Sequence, residues 1–319
     1  MTATLSGTEL AAGIRAEVAA AAADLTAAGT PPRLAVVVAT ADESSAWYVR
    51  SIARAAQKTG IACSVVDLGE TATPERIGAE LAALSADPAV HGIILQTPLP
   101  AGAVFEELAA SIDPAKDVDG ANPLSLGRLA AGLPAFAPAT AEAVLVLLDH
   151  HGIPLSGAHA VVVGRSTVVG KPAAHLLLQR DATVTVCHSR TKDLAAVTRT
   201  ADVLVAAVGR PELITAEYVG EDSVVVDVGT NPTPDGGLVG DVDAGSVTGR
   251  AAGLTPVPGG VGPVTTALLL QHTITSARGC RTTPSRPRPE AHPERARGEE
   301  NGVLTGAGSG SDHRERSTR

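Results

Sequence analysis

The sequence predicts an α/β protein in which parallel sheets form two domains around a cleft. Apolar runs of strand length alternate with segments of helix length, which is the pattern of β-α-β units joined by right-handed crossovers. The runs are continuous stretches of Val, Ile and Leu, as expected of strands buried on both faces. Only 2% of the residues are aromatic against 44% hydrophobic, so the core must consist mainly of Ala, Val, Leu and Ile.

The chain contains two groups of such units. A stretch rich in Asp, Pro and Gly, residues 113–136, separates them. We expect a first domain over residues 1–137 and a second over residues 138–262, with an apolar helix at 263–276 returning to the first. A cleft between two α/β domains is a common place for a small-molecule site. The predicted strands are 34–39, 62–68, 92–95, 160–163, 183–186, 203–207 and 223–228.

One predicted helix carries clear start signals. It covers residues 73–84, with Thr73 as the N-cap and Pro74 at the first helical position. A threonine N-cap can accept a hydrogen bond from a free backbone N–H of the first turn, and proline already has a helical φ.

The last segment, residues 277–319, differs from the rest in composition. It holds nine arginines, six acidic residues and no aromatic residue, so it is predicted to be a disordered tail. A basic arm that binds an acidic partner is the alternative. Because the whole chain carries −9, the tail's +3 leaves −12 on the remaining residues.

Composition also argues against several functional classes. No apolar run reaches the roughly 18 residues of a membrane span, and no basic segment precedes an apolar one as in a signal peptide. The three cysteines are far apart and form no CxxC pair, so we expect a reduced cytoplasmic protein without a cysteine-built metal site. An acidic chain is also not expected to bind nucleic acid generally.

A strand, a glycine-containing turn and a helix are predicted over residues 160–172 (AVVVGRSTVVGKP). Gly164 and Gly170 in this turn would let the backbone approach a pyrophosphate. The spacing is not the usual G-x-G-x-x-G, so this turn alone fits a nucleotide site and a purely structural turn equally well.

The end of the next strand favours NADP over NAD. A site specific for NAD usually has an acidic residue there, which binds the ribose 2′-hydroxyl. This chain has Ser189 and Arg190 instead, and Arg165 lies in the preceding turn. These donors suit a 2′-phosphate, although Arg190 by itself is equally compatible with a solvated loop. The next two strands also end in small or glycine-containing turns (AAVGRP and DVGTN), which strengthens the nucleotide interpretation.

In the first domain, three segments place polar or aromatic side chains where a ligand could contact them. Tyr48 and Ile52 share one helix face, and Tyr48 either stacks on a ligand ring or anchors the helix in the core. Gln96 follows a predicted strand, where ligands of parallel sheets bind. Asp117 and Asp119 could bind amino groups of a polar heterocycle, although Asp-Gly is also an ordinary turn.

Taken in order, the segments YV, QTPLP, KDVDGANP, VVGRSTVVGKP, TVTVCHSRT, AAVGRP, VVDVGTN, GDVD and TPVPGGVGPVT resemble the bifunctional methylenetetrahydrofolate dehydrogenase/methenyltetrahydrofolate cyclohydrolase (FolD) family. The resemblance covers residues 5–276. It implies a folate-binding catalytic domain, a C-terminal Rossmann-like domain and a homodimer. It also implies oxidation of 5,10-methylenetetrahydrofolate by NADP, followed by hydrolysis of the methenyl product to 10-formyltetrahydrofolate.

The resemblance assigns roles to individual residues and implies no metal. Tyr48 matches the tyrosine that stacks on folate, while Gln96 and Asp119 match polar folate contacts with catalytic roles. The folate loop corresponds to Pro258, Gly259, Gly260, Val261 and Gly262, and the NADP contacts to Gly164, Arg165, Ser166, Ser189 and Thr230, with Arg190 beside them.

One departure from the family pattern concerns catalysis. The family has Y-V-x-x-K, whereas this chain has Ile52 at the lysine position. That lysine assists the proton transfers of hydrolysis, which isoleucine cannot do. Arg50 and Arg54 are on other faces of the helix and remain charged. Ala139, Ala141 and Ala143 replace the family's usual Cys, Pro and Gly.

We therefore expect an NADP-dependent dehydrogenase in one-carbon metabolism whose cyclohydrolase step is weak or absent. A fully bifunctional enzyme is one alternative, and a non-enzymatic paralogue that binds NADP or folate is another. A dehydrogenase of some other small substrate would leave Tyr48, Gln96, Asp119 and the PGGVGP loop without a shared purpose.

Overall fold

A computed structural model describes residues 1–279, apart from the side chain of Ser44. It contains two parallel sheets flanked by helices. Most of the tail predicted at 277–319 lies outside the described residues. No helix in the described part of the chain is long and apolar enough to cross a bilayer.

The first half of the chain builds the smaller sheet, which has three strands. Strand β1 is the exception, because it joins the other sheet. The elements are β1 (Ala3–Thr4), α1 (Thr8–Ala27), β2 (Arg33–Val38), α2 (Glu43–Lys58), β3 (Ala62–Asp67), α3 (Pro74–Ala86), β4 (Gly92–Leu95), α4 (Phe105–Ala109) and α5 (Pro123–Ala130).

The second half builds most of a six-stranded sheet and a small antiparallel hairpin, and it includes one 3-10 turn at Ala216–Tyr218. Its elements are α6 (Ala139–His150), β5 (His159–Val163), α7 (Gly170–Leu178), β6 (Thr183–Cys187), α8 (Leu194–Thr198), β7 (Val203–Ala206), β8 (Val224–Asp227), β9 (Asn231–Pro232), β10 (Leu238–Val239), α9 (Ala244–Val247), β11 (Gly253–Leu254) and α10 (Val261–Ala277).

The strand orders determine where ligands can bind. The small sheet has the order β3-β2-β4, and the large one β1-β11-β8-β7-β5-β6. In the large sheet the chain passes from β5 to β6 on one side and then to β7 on the other. The crevice between the carboxyl ends of β5 and β7 is therefore a topological switch point, where open parallel sheets bind ligands.

The structure confirms the predicted fold class and the strand positions. Each predicted strand overlaps an observed one, and 92–95 coincides with β4. The predicted helix at residue 73 also has its expected start, since the Thr73 hydroxyl accepts a hydrogen bond from the backbone N–H of Arg76.

The expectation that every strand is buried on both faces is wrong for β3 and β6. Both have exposed side chains, with Val65 at 47% and Val186 at 42% exposure. Both are edge strands, but β4 is also an edge strand and is fully buried, because the segment at Asp117 and helix α10 lie against it. Continuous apolar sequence therefore did not distinguish edge from central strands.

The two ends of the described chain connect the halves. Strand β1 pairs with β11 at the edge of the large sheet. Helix α10, which follows β11, packs against α1 and α6. The returning helix therefore lies in the core cluster that also contains Ile52, Val36 and Leu147.

Candidate active site

Helix α2 carries Tyr48 at the carboxyl end of the small sheet. The helix begins after Asp42, whose carboxylate accepts a 2.7 Å hydrogen bond from the backbone N–H of Ser45. The Tyr48 ring is partly buried against the core, and Thr266 of α10 lies close to its hydroxyl. Burial, reinforced by the negative charge of Asp119, raises the pKa of Tyr48 well above its ordinary value. The phenol is therefore protonated at neutral pH.

Gln96 is held directly beside this helix. It follows β4, and its Nε2 donates to the Ser45 hydroxyl at 2.9 Å and to the Thr97 carbonyl at 2.8 Å. Ser45 lies one turn before Tyr48 and itself donates to the Thr97 carbonyl at 2.7 Å. These bonds fix the Gln96 amide relative to the Tyr48 helix.

The two aspartates of the KDVDG segment have different environments. Asp117 is fully buried, and its carboxylate accepts hydrogen bonds from the backbone N–H groups of Ala121 and Asn122 and from the Ser125 hydroxyl. These donors occupy its oxygens, so the prediction that Asp117 binds a heterocycle is wrong. Its role is to shape the loop that presents Asp119.

Asp119 is the carboxylate of this loop that remains available to a ligand. Within residues 1–279 no hydrogen-bond donor reaches its side chain. Burial and the charge of Asp117 raise its pKa to about 7, against the opposing effect of His272. It acts electrostatically on Tyr48, so the two side chains belong to one site and Asp119 titrates near neutral pH.

Ile52 lies one helical turn after Tyr48 and is completely buried. It belongs to the apolar cluster that includes Val36, Val49 and Ala56. Arg50 and Arg54 are exposed and line an outer groove with other residues of α2 and β3. Both guanidinium groups therefore lie away from the buried position of Ile52.

The substrate loop predicted at Pro258–Gly262 connects β11 to α10. The Gly259 carbonyl accepts a 2.9 Å hydrogen bond from the backbone N–H of Gly7. Gly259 has a φ of 108°, which favours glycine. Pro258 and Gly262 are exposed, whereas Gly260 and Val261 are buried. Since the same helix carries Thr266 four residues later, this loop lies on the Tyr48 side of the site.

The glycines of the nucleotide turn occupy the switch point. Gly164 follows β5 with a φ of 141°, and a Cβ there would collide with the Ala207 carbonyl after β7. A Cβ at Gly170 would collide with the Gly164 carbonyl. Both positions therefore require glycine, because the backbone segments after β5 and β7 and at the start of α7 pack too closely for a Cβ. This close packing places the N-terminus of α7 beside the crevice.

Cofactor candidates surround this crevice with exposed polar groups. Arg165, Ser166, Ser189, Arg190 and Thr230 are all exposed and follow β5, β6 or β8. No acidic side chain follows β6 before Asp193. Exposed arginines and hydroxyls without a carboxylate fit the 2′-phosphate of NADP better than the 2′-hydroxyl of NAD.

Several contributors to the site were not singled out by sequence. Asp241 accepts hydrogen bonds from the backbone N–H groups of Val208, Gly209 and Arg210 and thereby shapes the loop after β7. The Thr167 hydroxyl donates to Glu106 at 2.9 Å and joins the turn after β5 to α4 of the first half. Neither contact has a local sequence signal, because each depends on residues far apart in the chain.

His272 and Glu142 form a buried pair behind Asp119. Nε2 of His272 lies 3.0 Å from Oε2 of Glu142, although the two groups are poorly aligned for a hydrogen bond. Nδ1 lies 2.7 Å from the Val118 carbonyl oxygen. The sequence did contain one signal for this pair, because Glu142 and His272 are ionisable residues within the otherwise mainly apolar helices α6 and α10.

Comparison with known proteins identifies the family. The sequence profile of the tetrahydrofolate dehydrogenase/cyclohydrolase catalytic domain matches residues 5–119, and that of the family's NAD(P)-binding domain matches residues 138–281. The chain belongs to this family. Both halves of the structure are thus accounted for, and the resemblance derived from the motifs is confirmed.

Individual members of the tetrahydrofolate dehydrogenase/cyclohydrolase family agree closely with the chain. "Bifunctional protein FolD 1" of Saccharopolyspora erythraea is 78% identical over 276 residues, which cover 86% of this chain and 94% of that protein. The crystal structure of bifunctional FolD from Campylobacter jejuni has a TM-score of 0.84 at 40% identity, covering 88% of this chain and 99% of the other. The Trypanosoma brucei enzyme, solved with NADP cofactor and an inhibitor, has a TM-score of 0.83 at 36% identity, covering 87% and 98%.

As a family member, the chain is a methylenetetrahydrofolate dehydrogenase that uses NADP. The expectation of a non-enzymatic paralogue is therefore not supported. The NADP assignment agrees with the exposed arginines and hydroxyls at the switch point.

Proposed function

We propose that the chain oxidises 5,10-methylenetetrahydrofolate with NADP and has a weak or absent cyclohydrolase step. The observation that carries this proposal is Ile52, an apolar side chain buried in the core at the position where the family has its lysine. The Tyr48, Gln96 and Asp119 group and the nucleotide crevice are otherwise complete.

In this proposal the folate ring system lies between Tyr48 and the loop that precedes α10. Tyr48 stacks on the folate, and packing of its ring against the core cluster holds the ring in place. The Gln96 amide, held by Ser45, and the Asp119 carboxylate bind polar atoms of the folate. Arg165, Ser166, Ser189 and Arg190 would hold the 2′-phosphate side of NADP, and Thr230 would contact the nicotinamide side.

The dehydrogenase step requires alignment more than proton transfer. NADP, when bound, accepts the hydride from the carbon that bridges N5 and N10 of the folate. The resulting positive charge is delocalised over both nitrogens, so no side chain has to take up a proton in this step. The residues of the folate and NADP sites therefore act by holding two rings at reacting distance.

The hydrolysis step has different requirements. Water adds to the methenyl carbon, and protons must leave the water and reach a ring nitrogen. Ile52 has no group that can carry a proton. Tyr48 cannot act as the base near neutral pH, because burial raises its pKa and keeps the phenol protonated.

A second candidate function is the complete bifunctional activity. The observation that favours it is Asp119, whose pKa of about 7 suits a proton carrier at neutral pH. Two similar proteins, from Saccharopolyspora erythraea and Rhodococcus jostii, are named bifunctional protein FolD 1.

One product assay separates these candidates. Purified protein is supplied with methylenetetrahydrofolate and NADP, and the folate products are separated by chromatography. Accumulation of the methenyl compound supports the proposal, whereas conversion to the 10-formyl product well above the buffer rate contradicts it. Conversion that disappears in Asp119→Asn at saturating folate, while NADPH formation remains, would establish the second candidate.

We also propose a cytoplasmic homodimer. The family resemblance supports the dimer, and the free thiols of Cys63 and Cys187 are consistent with a reducing compartment. Light scattering of the purified protein at a few concentrations measures the oligomeric state, and a monomer at all of them would contradict the proposal.

A further inference from the structure

His272 is a buried ionisable side chain on the mainly apolar helix α10, and hydrophobic packing alone does not explain its presence there. Its side chain is 4% exposed, and the ring of Phe136 lies 4.9 Å from it, centroid to centroid. A buried histidine usually keeps one ring nitrogen as an acceptor. Here both ring nitrogens face oxygen acceptors.

The two contacts determine the charge of the ring. The Val118 carbonyl can only accept, so Nδ1 must carry a proton at 2.7 Å. Nε2 lies 3.0 Å from a Glu142 oxygen, and two lone pairs at that distance would repel each other. A doubly protonated imidazolium donates Nδ1–H to Val118 and places its positive charge 3.0 Å from the Glu142 carboxylate, as an ion pair in place of a well-aligned hydrogen bond.

The electrostatic surroundings support the same state. Burial alone would lower the pKa of His272, but Glu142, the Val118 carbonyl and Asp119 raise it above its ordinary value. Asp117 is the third carboxylate that interacts with the ring. Among the described residues, α1, α2, β2 and β4, which also pack against α10, contribute no charged group to it.

We propose that His272 is a positioning residue for the dehydrogenase: held as an imidazolium by Glu142, it fixes the Val118–Asp119 backbone and favours the ionised form of the Asp119 carboxylate for folate binding. This rests on the proposed role of Asp119 as a folate contact. The site thus has a buried cation behind the carboxylate, although Ile52 gives it no cation on α2.

The test compares three variants of the full-length enzyme, with KM and kcat for methylenetetrahydrofolate measured between pH 6 and pH 9. His272→Asn keeps an N–H donor for Val118 but removes the charge. Glu142→Gln removes the counter-ion and so favours the neutral ring. Asp119→Asn removes the carboxylate itself. The KM for NADP is the internal control and should not change in any of them.

In the wild type we expect the folate KM to rise as the pH falls through about 7, because a protonated Asp119 loses acceptor capacity. In His272→Asn and Glu142→Gln the midpoint of this rise should move upward by about one pH unit, with kcat within about twofold. Near pH 9 the KM values should converge. A purely structural defect would instead change kcat and KM at every pH.

The outcomes distinguish the inference from the proposed function. If Asp119→Asn leaves the folate KM unchanged, the role assigned to Asp119 is wrong. If Asp119→Asn raises the KM but the midpoint is unchanged in the folded His272→Asn and Glu142→Gln variants, only the inference is overturned. Nitrogen NMR of the wild-type ring provides a test without any substitution: we expect two protonated nitrogens at pH 7, and a neutral ring would contradict the proposal.

Discussion

Ile52 contributes to stability at the position where the motif resemblance places the family's lysine. It fills the core beside Val36, Val49 and Ala56, and a buried side chain of this size is worth about 2–5 kcal/mol relative to alanine. Stability and proton transfer therefore favour different side chains at position 52. An apolar side chain stabilises the packing of α2, whereas a lysine would supply a proton carrier.

Replacing Ile52 by lysine should restore hydrolysis at the expense of stability. We expect Ile52→Lys to raise conversion of the methenyl compound at least about tenfold. Desolvation of the ammonium should lower the free energy of unfolding by about 2–4 kcal/mol. Ile52→Met, of similar length but without a titratable group, is the control and should gain no hydrolysis. A folded Ile52→Lys enzyme without any gain would show that further support for this step is missing.

Tyr48 provides a second prediction at this scale, because its ring and hydroxyl can be removed separately. Tyr48→Phe removes the hydroxyl and keeps the ring, so we expect dehydrogenase kcat/KM within about fivefold of the wild type. Tyr48→Ala loses the stacking surface and should lower kcat/KM about 100-fold or more. Steady-state kinetics of both variants shows whether the ring or the hydroxyl of Tyr48 is needed for dehydrogenase activity. Equal losses would mean that the hydroxyl, not the ring, is essential.

At the scale of elements, cofactor choice belongs to the ends of β5 and β6. Ser189 and Arg190 follow β6, where a carboxylate would repel a 2′-phosphate. We expect Ser189→Asp to raise the KM for NADP about tenfold or more while changing the KM for NAD much less. Ser189→Ala is the control for loss of the hydroxyl alone. An unchanged ratio of the two KM values in Ser189→Asp would place 2′-phosphate recognition elsewhere.

The contact between α6 and α10 should give the stability a pH dependence. The pKa of His272 is raised in the folded state, so its stabilising effect is complete below the unfolded pKa of about 6.5 and is lost as the pH rises through the folded pKa. Glu142→Gln should therefore cost about 3 kcal/mol near pH 6 and less at alkaline pH. Urea unfolding across this range measures the difference.

The partly exposed pair of Asp149 and Arg180 offers a matched control. Its closest oxygen and nitrogen are 2.6 Å apart, but the arginine side chain is 37% exposed. Asp149→Asn should therefore cost less than about 1 kcal/mol, with no dependence on pH between 6 and 9. If Glu142→Gln behaved in the same way, the buried pair would not be ionic.

For the whole molecule, local sequence was sufficient to predict where the strands lie in the chain. It was insufficient to predict which strands pair with each other. Val-rich runs predicted β2, β4, β5, β7 and β8 because burial on both faces requires such sequence. The edge positions of β3 and β6 were not predicted, since they depend on strand order. Strand β1 has two residues and no apolar pattern, and only its pairing with Gly253 and Leu254 defines it.

The site shows the same division. Motifs indicated Tyr48, Gln96 and Asp119, which the structure brings to one end of the small sheet. Spacing could not show that the carboxylate of Asp117 is already occupied, because its donors come from the following loop and α5. Nor could it pair Glu142 with His272, which are 130 positions apart.

Two terminal deletions test how the molecule depends on its ends. Removing residues 1–6 deletes β1 and Leu5, which is 4% exposed, and should lower the free energy of unfolding by about 2–4 kcal/mol. Removing residues 280–319, predicted from composition to be disordered, should leave it unchanged. Urea unfolding midpoints compare the two, and equal midpoints would contradict the role given to β1.

The pairing of β1 with β11 and the return of α10 to α1 and α6 limit how such a protein can be recombined. Each half takes an element from the opposite end of the chain. A gene fusion that separated the contiguous nucleotide-binding segment from the rest would leave the large sheet without its edge strand β1. It would also separate helix α10 from α1. Exchange of the cofactor site as one segment would therefore break both packing interfaces, whereas substitutions at the strand ends would leave them intact.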